Sequence, residues 1–132
     1  MTEKKHIILI DDEEMIHTSF EMILFGTSYR KTSIIDPEEA MLYQQNKDKY
    51  DKPDLFIIDL MLGKYTGTEV ISSIRSDPDF DNIPIILYTG HHQYIVNERQ
   101  MMKELKIACV LPKIIFKDEL LPIIDSLTGS TS

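Results

Sequence analysis

Residues 54–67 read DLFIIDLMLGKYTG, and their reading decides the fold. Leu55, Phe56, Ile57 and Ile58 form an unbroken apolar run of strand length, with no alternation between an apolar and a polar face. Such a run, with β-branched residues in it, suits a central strand of a parallel sheet covered by helices on both sides. It ends on a carboxylate, Asp59. At the carboxyl end of such a strand, side chains reach the crevice in which open α/β sheets hold ligands. A solitary Asp in that place would pass for a strand-end cap or a turn starter. Gly63 and Gly67 punctuate the loop after Asp59, marking places for a positive φ or a close approach of the backbone.

Working outward, residues 6–10 (HIILI) read as a first buried strand, closed by Asp11, Asp12, Glu13 and Glu14. Met15, Ile16, Phe20, Ile23 and Leu24 then recur at helical spacing, with Gly26 as the expected stop. Residues 29–35 alternate and are rich in β-formers, which suggests a strand nearer the sheet edge. Asp36-Pro37-Glu38-Glu39 has the order of a helix start: a capping Asp, a Pro at the first helical position and acids in the first turn. Residues 68–76 predict a short helix with Val70, Ile71 and Ile74 inward, stopped by Asp77-Pro78-Asp79. Residues 84–89 (PIILYT) are a fourth apolar strand ending at Gly90, and residues 91–105 a polar helix with a weak apolar stripe. Residues 107–111 (IACVL) form a fifth strand running into Pro112-Lys113. Residues 117–127 make the last helix, in which Pro122 is tolerable only if the helix begins close before it.

Strand and helix thus alternate five times, which implies right-handed crossovers and a doubly wound, parallel α/β sheet. The expected organisation is one domain over residues 1–127, with a polar tail or the start of a linker over 128–132.

At 132 residues, with a formal net charge of −8, the chain is acidic, and it has no Lys/Arg cluster that could serve as a basic face. Direct nucleic-acid binding is therefore not expected. The single cysteine, Cys109, excludes an intramolecular disulfide and sits in an apolar stretch, as a buried inert thiol would. The first residues hold too few apolar side chains for a signal peptide or a membrane span, so a cytoplasmic location with no membrane contact is expected. Glu13 and Glu14 read as helix-start charges, His6 and His17 as structural or exposed, and the charges at 47–52 as a solvated loop.

The strand ends carry the chemistry. Asp11 and Asp12 follow strand one, Asp59 ends strand three, Thr89 ends strand four and Lys113 follows strand five. In a doubly wound sheet these ends share one rim. Like charges about 4 Å apart repel by roughly 4 kcal/mol at an effective dielectric near 20, so three carboxylates there need a counter-charge. Lys113 offers one, and Mg²⁺ (or Mn²⁺) a better one, since a few carboxylates plus waters is how Mg²⁺ is usually held. A carboxylate so placed is a candidate nucleophile for in-line phosphoryl transfer, with the Lys113 ammonium and the Thr89 hydroxyl as donors to the phosphoryl oxygens.

These residues resemble the receiver domain of two-component response regulators over nearly the whole chain. In that family an acidic pair follows strand one (Asp11-Asp12), the phosphoacceptor ends strand three (Asp59) and a Gly lies eight residues on (Gly67). A Thr or Ser ends strand four (Thr89), and a Lys follows strand five (Lys113). The resemblance implies a flavodoxin-like strand order 2-1-3-4-5. It implies Mg²⁺ held by Asp12, Asp59 and the Met61 main-chain carbonyl, with Asp11 acting partly through water. The implied phosphoryl donor is a histidine kinase or histidine phosphotransfer protein. The implied readout is a downstream target or output domain meeting helix four, strand five and helix five. The resemblance implies that Met61 and His91, two residues after Asp59 and Thr89, flank the phosphoryl group, where they are expected to tune its lifetime.

The chain departs from that pattern in three places: Ile114 rather than Pro follows Lys113, Val110 stands where an aromatic residue is common, and Gly63 replaces a Pro. A flavodoxin-like phosphate-cofactor binder is disfavoured, because DDEE occupies the place a phosphate-binding loop would take. An aspartyl phosphatase is disfavoured by Met61, which stands where a second Asp would act as acid and base. The alternative kept beside the phosphoacceptor is a degenerate receiver that serves as a phosphorylation-independent protein-binding scaffold.

Overall fold

A computed structural model describes residues 4–90, 99–113 and 115–129. Five strands form one parallel sheet: β1 (Lys5–Ile10), β2 (Tyr29–Ile34), β3 (Leu55–Asp59), β4 (Ile85–Thr89) and β5 (Cys109–Pro112), in spatial order β2-β1-β3-β4-β5. The helices are α1 (Glu14–Leu24), α2 (Pro37–Met41), α3 (Gly67–Arg75), α4 (Arg99–Glu104) and α5 (Lys117–Thr128).

The two-residue period of the strands sorts the core into two layers. Ile7, Leu9, Leu55, Ile57, Ile86 and Tyr88 pack with α1 and α5, around Phe20, Leu24, Leu120 and Ile124. Ile8, Ile10, Phe56, Ile58, Ile85 and Leu87 pack with α2 and α3, around Ala40, Val70, Ile71 and Ile74, with Met102 of α4 and Leu105 just after it against them. Every residue of β3 and β4 is buried, as expected of strands covered on both faces. The crossovers change face between β1 and β3, so the crevice of the sheet opens between the ends of those two strands, at Asp11 and Asp59.

Local chemistry explains the joints. Asp36 caps α2 by accepting from the Glu38 amide at 3.1 Å, with Pro37 at the first helical position. Thr66 and Glu69 cap α3 reciprocally, each side chain accepting from the other's main-chain N–H. The stretch expected as a loop after Asp59 is a β-hairpin pairing Met61–Leu62 with Tyr65–Thr66, and Gly63 supplies the positive φ of its turn.

Several expectations need correction. Met15 is 80% exposed, and His17 takes the inward place on α1. Cys109 is only half-buried, although burial still raises its thiol pKa. The fifth strand begins two residues later than expected, at Cys109, because Lys106 turns the chain with φ 56. Pro122 lies six residues into α5, not near its start, so the helix loses the bond its N–H would have made to the Asp118 carbonyl. Thr128, expected in the tail, is the last helical residue, and Gly129 closes the helix in the left-handed conformation. The charges at 47–52 are not merely solvated: Lys47 bonds Asp77 at 2.6 Å and Asp79 at 2.8 Å. Of the helix expected over 91–105, residues 91–98 lie outside the described residues.

Candidate functional site

Four of the expected residues meet at the carboxyl rim of the sheet. The Lys113 ammonium stands 2.9 Å from Asp59 Oδ2, 3.1 Å from Asp11 Oδ2 and 2.9 Å from Glu13 Oε1. Asp11, Asp12, Glu13 and Asp59 each bring a carboxylate oxygen to within 4.8 Å of the others. Asp11 and Asp59 are buried, whereas Asp12 and Glu13 are exposed at the mouth.

Each member is held by its backbone context. Asp11 follows the last residue of β1, and its Oδ1 accepts from the Glu13 amide at 2.9 Å, which folds the acidic run back over the crevice. The buried His17 imidazole donates from Nε2 to the Asp11 main-chain carbonyl at 2.7 Å, since that carbonyl can only accept. Asp59 Oδ1 accepts from the Met61 amide at 3.3 Å. Gly67 begins α3 against the Asp59 peptide: a Cβ there would stand 2.2 Å from the Asp59 carbonyl oxygen. The Gly67 amide also donates to the Leu60 carbonyl at 2.6 Å. Only glycine fits, so the helix start and the strand end are locked together.

Thr89 ends β4 fully buried, and its carbonyl accepts from the Lys113 amide at 3.2 Å. Met61 is 48% exposed beside Asp59, at the mouth of the crevice. Gly63 belongs to the hairpin turn, with Pro37 nearby. His91 and Ile114 lie outside the described residues.

The electrostatics show an excess of negative charge. Burial is the main reason that the Asp59 carboxyl is pushed up to about 6; the Asp11 charge adds to the shift, and Lys113 opposes it. Burial likewise raises Asp11, against the Glu13 amide and the Lys113 charge. For Lys113 burial would lower the pKa, but hydrogen bonds to Asp59 and Glu13 and the charge of Asp11 outweigh it, so the ammonium persists. Asp11 Oδ2 is buried, touches Lys113 only as an ion pair and receives no aligned hydrogen bond among the described residues. One lysine does not satisfy this many carboxylates.

Sequence reasoning misses three members. Glu13 reads as a helix-start charge, yet its side chain reaches Lys113. Four acids in a row carry no signal of which one turns inward. His17 and Tyr88 hold main-chain atoms of Asp11 and Lys113: the Tyr88 hydroxyl donates to the Lys113 carbonyl. The pKa of Tyr88, raised by burial to about 12, keeps that donor protonated. The parity of β4 puts Tyr88 in the α1/α5 layer, but no local pattern shows a partner 25 residues away.

Comparison with known proteins gives a consistent family. The family model described as "Response regulator receiver domain" matches residues 7–125. Response regulator Rcp1 of Synechocystis sp. is 31% identical over 122 residues, spanning 83% of this chain and 76% of that protein. The crystal structure of the Mn(2+)-bound form of Rcp1 superposes with a TM-score of 0.72 at 25% identity, over 95% of this chain and 90% of that one. The phosphorylated cyanobacterial phytochrome response regulator RcpA gives the same TM-score, 0.72, at 25% identity, over 95% of this chain and 89% of that one. For several transcriptional regulators among its relatives, the chain spans only about a third of their length, 33% and 32% in two cases.

Proposed function

The chain belongs to the response regulator receiver domain family, and from that premise we propose that Asp59 is its phosphoacceptor, with a phosphohistidine of a histidine kinase or phosphotransfer protein as the donor. In that step an Asp59 carboxylate oxygen attacks phosphorus, the P–N bond breaks, and its electron pair leaves with the imidazole. The observation that carries the reading is the Lys113 ammonium set 2.9 Å from Asp59 Oδ2, where it can follow the charge on to a phosphoryl oxygen. Thr89, at the adjoining strand end, is the second donor and the switch residue.

The donor set fits a hard divalent cation, Mg²⁺ or Mn²⁺: oxygen ligands alone, a surplus of negative charge and a buried Asp11 oxygen without an aligned donor. Asp11, Asp12, Asp59 and the Met61 main-chain carbonyl would hold the ion, with Glu13 at its edge. When bound, it supplies charge neutralisation at the carboxylates and a grip on the phosphoryl oxygens. Met61, half-exposed beside Asp59, limits the access of water to the phosphoryl group.

The domain is a signalling module that modifies itself and turns over no external metabolite. It works in the cytoplasm, and among the described residues no helix is long and apolar enough to cross a membrane. Phosphorylation shifts the balance between two conformations and so the affinity for a partner. That partner, a downstream protein or an output domain, meets the face of α4, β5 and α5. There an apolar groove of about 350 Å³ runs between the edge strand and the last helix, lined by Cys109, Leu111, Pro122, Ile123 and Leu127. Nucleic acid is not contacted directly, in keeping with the acidic charge. Residues 1–127 form the receiver.

The test is intact mass after incubation with acetyl phosphate, with and without Mg²⁺, on the wild type and Asp59→Asn. One phosphoryl group that needs Mg²⁺ and vanishes in the variant is expected. A wild type that binds Mg²⁺ yet accepts no phosphoryl group would overturn the phosphoacceptor reading in favour of a binding scaffold.

A further inference from the structure

A lysine side chain has four rotatable carbon–carbon bonds, so its ammonium is placed only as well as its main chain is. Lys113 follows the last residue of the edge strand, Pro112, which has no N–H to give to the ladder. Its main chain is held at two points. The Lys113 amide donates to the Thr89 carbonyl at 3.2 Å, and the Lys113 carbonyl accepts from the Tyr88 hydroxyl. Without the second bond the peptide could pivot about the first.

Tyr88 is well fitted to be an anchor. It lies directly opposite Asp59 in the β3/β4 register, and its carbonyl accepts from the Leu60 amide at 3.3 Å. Its ring stands edge-on to Phe20 of α1, with centroids 5.5 Å apart at 84°, and the residue is only 4% exposed. The strand end that carries Asp59 and the peptide that carries Lys113 are thus joined through one rigid ring. Phenylalanine would fill the same space. The hydroxyl adds only its hydrogen bond, at the cost of burying a polar group that must then be partnered.

We propose that Tyr88 is a positioning residue for phosphoryl transfer: its buried hydroxyl fixes the Lys113 main chain and thereby sets where the ammonium stands relative to Asp59. This rests on Asp59 being the phosphoacceptor and adds to the site a residue outside the charged cluster. With acetyl phosphate as donor, an Asp59 carboxylate oxygen bonds to phosphorus while the bond from phosphorus to the acetate oxygen breaks, its electron pair leaving with acetate. Lys113 transfers no proton; it has only to be in place.

The experiment compares the initial rate of phosphorylation by acetyl phosphate in the wild type, Tyr88→Phe, Lys113→Met and the double variant, with Mg²⁺ affinity measured on each. Tyr88→Phe is expected to lower the rate about tenfold, since a displacement of an ångström can cost about a hundredfold. Its Mg²⁺ affinity should be that of the wild type, because no carboxylate has been touched. In the Lys113→Met background the same change should have no further effect, because the hydroxyl acts only through the lysine. Phe20→Leu, which loosens the ring packing and spares the hydroxyl, should slow phosphorylation less than Tyr88→Phe does. The proposal is overturned by a wild-type rate in Tyr88→Phe, by an equal loss with and without Lys113, or by the same slowing in Phe20→Leu. Failure of the wild type itself to accept a phosphoryl group would instead sink the reading of Asp59.

Discussion

Two lysines in this molecule sit among carboxylates at opposite ends of the sheet, and the acids they serve are shifted in opposite directions. At the carboxyl rim Lys113 serves Asp11, Glu13 and Asp59, and the two buried acids have their pKa values pushed up. At the other end Lys47 bridges Asp77 and Asp79, and there the Asp77 carboxyl is pulled down, first by its bond to Lys47. Asp77 also accepts from the Asp79 amide at 3.0 Å and from Gln44 at 3.3 Å, so its oxygens are satisfied. Nearby, the Arg75 guanidinium donates to the carbonyls of Phe80, Leu105 and Lys106, tying α3 to the turns beside it. One cluster is at rest. The other holds more negative charge than its surroundings neutralise, and such tension is a mark of groups kept for chemistry rather than for stability.

Exchanging each lysine in turn should separate these roles most sharply. Lys113→Met is expected to slow phosphorylation by acetyl phosphate about a hundredfold or more, the scale of a lost charge-stabilising donor. Lys47→Met should leave that rate alone and lower the thermal midpoint. Equal phosphorylation rates in the two variants would erase the distinction.

Gly67→Ala is the next largest change. Its Cβ would collide with the Asp59 carbonyl, so the strand end or the helix start must move. A loss of about 2–4 kcal/mol in urea unfolding is expected, on the scale of severe single substitutions, along with slowed phosphorylation. A variant as stable and as active as the wild type would show that α3 does not fix Asp59.

The pH dependence of stability should run in opposite directions at the two ends. The folded pKa of Asp59, about 6, lies above its ordinary 3.8. The metal-free fold therefore takes up a proton that the unfolded chain does not, and this group favours folding as pH falls from about 7 towards 4, by on the order of 2 kcal/mol. Asp77 is lowered, so its contribution is present above its ordinary pKa and is lost as pH falls through the folded value. Urea midpoints measured from about pH 7.5 to about 3.5 should lose their rising limb in Asp59→Asn and part of their acid fall in Asp77→Asn. Identical profiles in all three proteins would remove the contrast.

The smallest effect expected is at Met61. Replacing it with Asn, which can orient water, should shorten the life of the aspartyl phosphate by a few-fold, roughly 0.5–1 kcal/mol in the barrier. Decay of the phosphorylated species, followed by mass, reads this directly, and an unchanged rate would leave Met61 without a role in hydrolysis.

The legible and illegible parts of the chain divide along physical lines. β1, β3 and β4 are legible because strands buried on both faces must be apolar throughout, and their ends name Asp11, Asp59 and Thr89. The start of β5 is not, since Ile107 and Ala108 are as apolar as the strand they lead into and only the backbone turn at Lys106 separates them. Charged runs are the least legible. Glu13 beside Asp12 and Lys47 beside Asp48 look like solvated surface until a partner 100 or 30 residues away comes into range. Spacing reports which side of an element a residue lies on. It does not report which distant group waits there.

Pro122 sets a weak point inside α5. The missing bond to the Asp118 carbonyl removes one of the links between the first turn, 117–121, and the rest of the helix. The first turn is stitched instead to Phe116, through the amides of Glu119 and Leu120. Hydrogen exchange is expected to show the weak point, with the amides of the two parts of α5 released at different rates.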